Sequence, residues 1–160
     1  VEMVDDRVVR GLVKTEKDFL IVIGTPAHAA LAEKLAAELR YNDKNVRIAY
    51  ADELALHIFT KPAGAPENFQ MHGPTADLRE FAIVLGKSDG NALLWQTAGG
   101  IQLTHRLAAL RPAGNGVAVI EAVWRAFSPH RNALAICAGS DESLEQAVDF
   151  LLKETFDQRP

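Results

Sequence analysis

The stretch Phe19–Leu39, FLIVIGTPAHAALAEKLAAEL, decides the fold of this chain. It opens with an unbroken apolar run rich in β-branched side chains, which is typical of a strand that is covered on both faces. Gly24 ends the run, Thr25 offers a hydroxyl that can cap a helix, and Pro26 suits the first helical position, where no N–H is needed. The stretch therefore predicts a strand, a tight turn and a helix. Apolar side chains recur on one face of that helix at Leu31, Leu35 and Leu39.

The same pattern returns twice further along the chain. Phe81–Leu85 is followed by the turn GKSDGN, and Ala133–Ala138 is followed by GSDES. Val117–Phe127 is expected to form an antiparallel hairpin with Ala133–Ala138. We therefore predict one α/β domain over residues 1–160. Its fold is three-layered, with a mainly parallel sheet of about five strands, helices on both faces and a C-terminal antiparallel hairpin.

Other segments carry weaker patterns. Asp5–Thr15 mixes valines with charges and predicts an edge strand or an extended lead-in. Val46–Tyr50 alternates apolar and polar residues, which predicts a short strand. Thr60–Thr75 contains three prolines and two glycines, which predicts a long loop that is either functional or packs Phe69 and Met71 onto the sheet. The C-terminal helix is predicted to bury Leu144, Val148 and Leu151.

Right-handed crossovers place the turns after Ile23, Leu85 and Ala138 at one edge of the sheet, the edge where open α/β sheets bind ligands. The GTPAHA turn lacks the Lys-Ser/Thr pair of a P-loop and the three glycines of a dinucleotide-binding turn, so a plain helix cap is favoured there over phosphate binding. The GKSDGN turn carries a lysine, a serine and an aspartate in succession. We predict no catalytic residue, because a serine nucleophile in GKSDGN would need a base and an orienting group, and this loop sequence shows neither. The candidate ligand-binding residues at this edge are Gly24, Thr25, Gly86, Ser88, Asp89, Gly139 and Ser140.

The residues with metal-binding or stacking chemistry occur singly. Five histidines lack HxH or HExxH spacing, so we expect no metal site and no cofactor. Cys137, the single cysteine, excludes an internal disulfide and ends an apolar strand, where a small buried side chain is expected. Trp124 lies in a predicted strand, and its ring either packs into the core or stacks on a sugar at the surface.

Charge and hydropathy exclude two broad classes of function. The net charge is −4, with no cluster of four or more Lys/Arg, which excludes the basic surface of a nucleic-acid binder or an anionic-membrane binder. No apolar run approaches the roughly 18 residues needed to cross a bilayer, so we expect no membrane span. Because the chain starts at Val1 rather than at methionine, we expect a processed chain or an excised part of a larger protein.

The C-terminal third, GNGVAVIEAVWRAFSPHRNALAICAGSDESLEQAVDFL, resembles a segment of flavodoxin-like accessory domains. That segment is a strand ending near NPF, a short basic turn, a strand with a GSD turn, and a helix. Here AFSPHRN stands at the NPF and basic turn, with Ala126 in place of the asparagine. The opening unit Phe19–Leu39 is also similar to the start of these domains, so the likeness spans most of Phe19–Leu152. Such domains precede the barrel of some glycoside hydrolases and occur in archaeal surface-layer-type proteins and in the periplasmic subunit of bacterial cellulose synthases.

The resemblance implies a non-catalytic binding or assembly module of a larger carbohydrate-associated protein in the periplasm or outside the cell. It implies other domains or subunits of the same assembly, and carbohydrate, as partners. One alternative is a small-ligand or nucleotide-binding α/β enzyme that uses the loops after Ile23 and Leu85. Another is a protein-interaction subunit whose hairpin or edge strand docks a partner, in which case a charge placed in Val117–Phe127 is expected to abolish association.

Overall fold

The computed structural model describes residues 1–51, 53, 79–87, 117–128 and 131–156, and at 123–128 and 131 it describes the backbone alone. The described elements are six strands, three α-helices and one 3-10 turn. In chain order they are β1 (Glu2–Met3), α1 (Asp6–Thr15), β2 (Asp18–Ile23), a single 3-10 turn (Pro26–His28), α2 (Ala29–Tyr41), β3 (Asn45–Tyr50), β4 (Phe81–Lys87), β5 (Ala118–Ser128), β6 (Arg131–Ala138) and α3 (Asp141–Phe156).

The described strands form one mixed sheet of six strands in the order β1-β5-β6-β4-β2-β3. β2 pairs in parallel with β3 and with β4, and β4 pairs in parallel with β6. β5 runs antiparallel to β6, and β1 pairs in parallel with β5. The predicted α/β class, the mainly parallel sheet and the C-terminal hairpin are confirmed. The described part of the chain contains six strands where about five were predicted.

The prediction of an edge strand or extended lead-in at Asp5–Thr15 is wrong, because Asp6–Thr15 forms the helix α1. Val9 and Val13 are buried in the core and Leu12 packs against it, so apolar side chains recur at helical spacing on one face. Valines favour strands when they are considered one by one. The helix forms because its apolar stripe packs onto the domain, and packing outweighs local propensity.

The three helices α1, α2 and α3 contribute to one hydrophobic core on a single face of the sheet. In this core the rings of Phe19 and Phe81, on neighbouring strands, meet edge to face with their centroids 5.6 Å apart. The opposite face of the same strands is buried as well, at Leu20, Val22, Ala82 and Val84. The helices predicted for that second face, and the predicted loop Thr60–Thr75, lie outside the described residues.

A buried lysine fastens the end of α1 to the turn that precedes β3. Lys44 is 6% exposed, and its Nζ donates hydrogen bonds to the carbonyl oxygens of Lys14 and Glu16. The same ammonium group lies 5.9 Å from the centre of the Phe19 ring. Burial lowers the pKa of Lys44, and the nearby charge of Lys17 adds to this effect. Because a buried ammonium group is costly unless its protons are bonded, these carbonyl contacts fix the turn.

Candidate functional site

The carboxyl ends of β2, β4 and β6 lie at one edge of the sheet, which we call the carboxyl edge. The three strands are parallel and in register, with Ile23 opposite Leu85 and Lys87 opposite Ala138. The chain leaves β2 toward β3 on one side, whereas β4 and β6 lie on the other side of β2. This reversal of direction between β2 and β4 is a topological switch point, the place where open α/β sheets most often bind ligands.

In the turn after β2, the hydroxyl of Thr25 caps the 3-10 turn. Thr25 has an extended backbone, and its Oγ1 accepts a hydrogen bond from the backbone N–H of Ala27 at 3.3 Å. Pro26 occupies the first position of the 3-10 turn, and α2 begins three residues later at Ala29. The predicted cap and proline position are therefore found at the 3-10 turn, whereas α2 itself begins at Ala29 and its N-cap residue His28 makes no side-chain cap hydrogen bond.

The turn after β6 is closed by two serines. Ser140 Oγ accepts a hydrogen bond from the N–H of Ser143 at 3.1 Å, and Ser143 Oγ accepts one from the N–H of Ser140 at 3.0 Å. This reciprocal pair has the geometry of a capping box, with a serine at the position where glutamate or glutamine is usual. Gly139 donates its N–H to the carbonyl oxygen of Val117 at 2.9 Å, which joins the turn to the start of β5. The turn is thus held by contacts within the domain.

The structure differs from the sequence-based expectation at the third turn. Gly86 pairs with Cys137 inside the ladder of β4 and β6, so the strand extends through Lys87 before the turn begins. Two of the candidate residues of this turn, Ser88 and Asp89, lie outside the described residues. The ligand-binding role of the residues predicted at the carboxyl edge stays a prediction.

A polar cluster that the sequence patterns did not indicate lies at the carboxyl ends of β2, β4 and β6. It consists of His28, Lys87 and Asp141, and we call it the His28 cluster. Nε2 of His28 lies 2.9 Å from Oδ1 of Asp141, and Nζ of Lys87 lies 3.6 Å from the same oxygen. The imidazole is buried, whereas 64% of the Asp141 side chain is exposed. The cluster thereby connects the 3-10 turn after β2, the last residue of β4 and the first residue of α3.

The electrostatics of the His28 cluster indicate which group donates and which accepts the hydrogen bond between His28 and Asp141. The hydrogen bond with His28 lowers the pKa of Asp141, and the charge of Lys87 lowers it further, although partial desolvation acts in the opposite direction. Asp141 is therefore an ionised acceptor at neutral pH, and Nε2 of His28 donates to it. Among the described residues, Nδ1 of His28 has no hydrogen-bond partner.

A shallow groove of about 290 Å³ runs between α2 and α3 beside the His28 cluster. Its volume is at the lower end of the range found for small-ligand pockets. Lys34 lies along the groove, with its Nζ 2.6 Å from Oδ1 of Asp149 and 3.6 Å from Oε1 of Glu145. The hydrogen bond with Asp149 raises the pKa of Lys34. The residues that line the groove are Ala27, His28, Ala30, Leu31, Lys34, Asp141 and Glu145.

The remaining predictions concern Cys137, Trp124, metal binding and membrane spans. Cys137 is 2% exposed on the face of the sheet opposite α2 and α3, which agrees with the expected small buried side chain. The side chain of Trp124 is outside the described residues. Within the described ranges, no group of three or more His, Cys, Asp or Glu side chains is placed to hold a metal ion. Of the described helices, none has both the length and the apolar character that a membrane span requires.

The described residues form an α/β fold in which charged side chains connect the carboxyl ends of β2, β4 and β6. No protein-family model matches the chain, and no curated protein matches it significantly. The resemblance of the sequence to flavodoxin-like accessory domains therefore stays a prediction.

Proposed function

We propose that this domain is a non-catalytic binding and assembly module of a larger, extracytoplasmic, carbohydrate-associated protein. The non-catalytic part is supported by one observation: the polar groups at the carboxyl edge form hydrogen bonds and ion pairs within the domain. Thr25 caps the 3-10 turn, Ser140 caps α3, and Asp141 binds His28 and Lys87, so these groups hold the domain together. The carbohydrate association and the location in the periplasm or outside the cell are supported by the resemblance of the C-terminal third.

The chemistry of the described groups also favours binding over catalysis. Glycoside hydrolysis normally needs a carboxylic acid with a raised pKa beside a second carboxylate, and the pKa of Asp141 is lowered instead. Acyl transfer needs a nucleophile within hydrogen-bond reach of a base, and the buried thiol of Cys137 lies on the opposite side of the sheet from His28. These groups suit a scaffold on which other parts of an assembly dock.

Enzymatic assays test the non-catalytic part of the proposal. We expect the purified 160-residue chain to show no turnover of a panel of glycosides, esters and nucleotides. The variants Asp89→Asn, Cys137→Ala and Asp141→Asn are assayed alongside it. Turnover that survives purification and disappears in one folded variant would contradict the proposal and favour the enzyme alternative.

Co-sedimentation with insoluble polysaccharides tests the carbohydrate part. We expect a saturable bound fraction on cellulose or chitin, because an accessory domain of this kind is expected to hold its assembly on the glycan. Trp124→Ala is expected to reduce binding if its ring stacks on a sugar, whereas Tyr41→Ala removes a ring that is 86% exposed at the end of α2 and serves as the matched control. Thermal unfolding confirms that both variants fold. Binding no greater than that of an unrelated protein to either polysaccharide would overturn the carbohydrate association.

A second candidate function, binding of a small anionic ligand such as a nucleotide, is favoured by one specific observation. The His28 cluster brings the cationic Lys87 and the N-terminus of the long helix α3 together beside the topological switch point. If the domain binds such a ligand there, ATP or inorganic phosphate raises the melting temperature in a concentration-dependent way. Lys87→Met then abolishes the shift, and Lys153→Met, which removes an exposed lysine from the last turn of α3, retains it. A shift that Lys87→Met leaves intact places the ligand elsewhere and counts against this candidate.

A further inference from the structure

We draw no further inference here: the strongest candidate, the His28 cluster with the groove between α2 and α3 beside it, belongs to the site already described.

Discussion

At the scale of single residues, the backbone of Asp43 departs from the conformation that its side chain prefers. Its φ angle is 65°, in the left-handed region just after the end of α2. The N–H of Asp43 donates to the carbonyl oxygen of Arg40, and the N–H of Lys44 donates to that of Leu39, which closes the last turn of the helix. Glycine is the usual residue at such a helix end, because it has no Cβ to clash.

We therefore predict that Asp43→Gly raises the free energy of unfolding by about 0.5 to 1 kcal/mol, because it relieves the left-handed strain. Asp43→Ala is expected to lower it by a similar amount, since alanine lacks the local hydrogen bonds that help aspartate tolerate this region. Urea denaturation measures both changes. Equal stability of the glycine and alanine variants would contradict a left-handed backbone at this position.

The contacts of Lys44 support a second prediction at the residue scale. Lys44→Met keeps the aliphatic packing beside Phe19 but leaves the carbonyl oxygens of Lys14 and Glu16 without their donor. A lost hydrogen bond to a charged group costs about 1.5 to 3 kcal/mol, so a decrease in unfolding free energy of that order is expected. Lys17→Met, at an exposed neighbouring lysine, is the matched control and should change stability by less than about 0.5 kcal/mol. A Lys44 variant as stable as the Lys17 variant would refute the fastening role.

At the scale of secondary-structure elements, the apolar face of α3 determines how firmly the helix is held. The predicted burial of Leu144, Val148 and Leu151 is confirmed, since each is 0% exposed. These side chains belong to the core that also contains residues of α1 and α2. The packing of α3 therefore contributes to the stability of the core that the three helices form on one face of the sheet.

We predict that Leu151→Ala lowers the free energy of unfolding by about 2 to 5 kcal/mol, because it removes buried methyl groups and leaves a cavity. Leu152→Ala, at the neighbouring half-buried position, is expected to cost clearly less. Guanidinium denaturation of the two variants gives the comparison. A loss below about 0.5 kcal/mol for Leu151→Ala would mean that the helix is peripheral in solution.

The elements that the sequence predicts well are those whose pattern is local and strong. The run at Phe19–Ile23 and the apolar periodicity of α3 both give the correct element, because burial on both faces or on one helical stripe leaves a direct mark on residue order. The prediction for Asp5–Thr15 is wrong because adjacent valines suit a strand as well as a helix when the surface they pack against is unknown. The two-residue strand β1 is too short to leave a pattern.

At the scale of the whole molecule, the His28 cluster illustrates why a candidate site is harder to predict than a fold. His28 and Asp141 are 113 positions apart, and their contact depends on β4 lying between β2 and β6. Apolar periodicity predicts which segments are strands, but it does not fix the order of strands in a sheet. His28, a single histidine within the capped 3-10 turn, therefore gave no sequence signal of the cluster. The capping role of Thr25 was predictable because capping depends only on near neighbours.

The His28 cluster also predicts that the stability of the domain depends on pH. Because the pKa of Asp141 is lowered in the folded domain from an unfolded value of 3.8, its stabilising contribution is fully present above that value and is lost as the pH falls through the folded pKa. We expect the difference in melting temperature between the wild type and Asp141→Asn to be constant above about pH 5 and to shrink toward lower pH.

The control for this experiment is Glu142→Gln, which removes the neighbouring exposed charge of the first turn of α3. Both variants weaken the interaction with the helix dipole, whereas Asp141→Asn alone affects the contacts with His28 and Lys87. Matching pH profiles for the two variants would show that the dipole accounts for the whole effect and that the cluster does not stabilise the domain.

The pairing of β1 with β5 has a consequence for the order in which the domain assembles. β2, α2 and β3 follow one another directly, so this unit can close over a short length of chain during synthesis. Glu2, in contrast, pairs with Val119, more than a hundred residues further along. β1 can therefore pair only after the chain has been synthesised as far as β5, and pairing across such a distance slows folding. We therefore expect β1 to join the sheet later than the unit of β2, α2 and β3 forms.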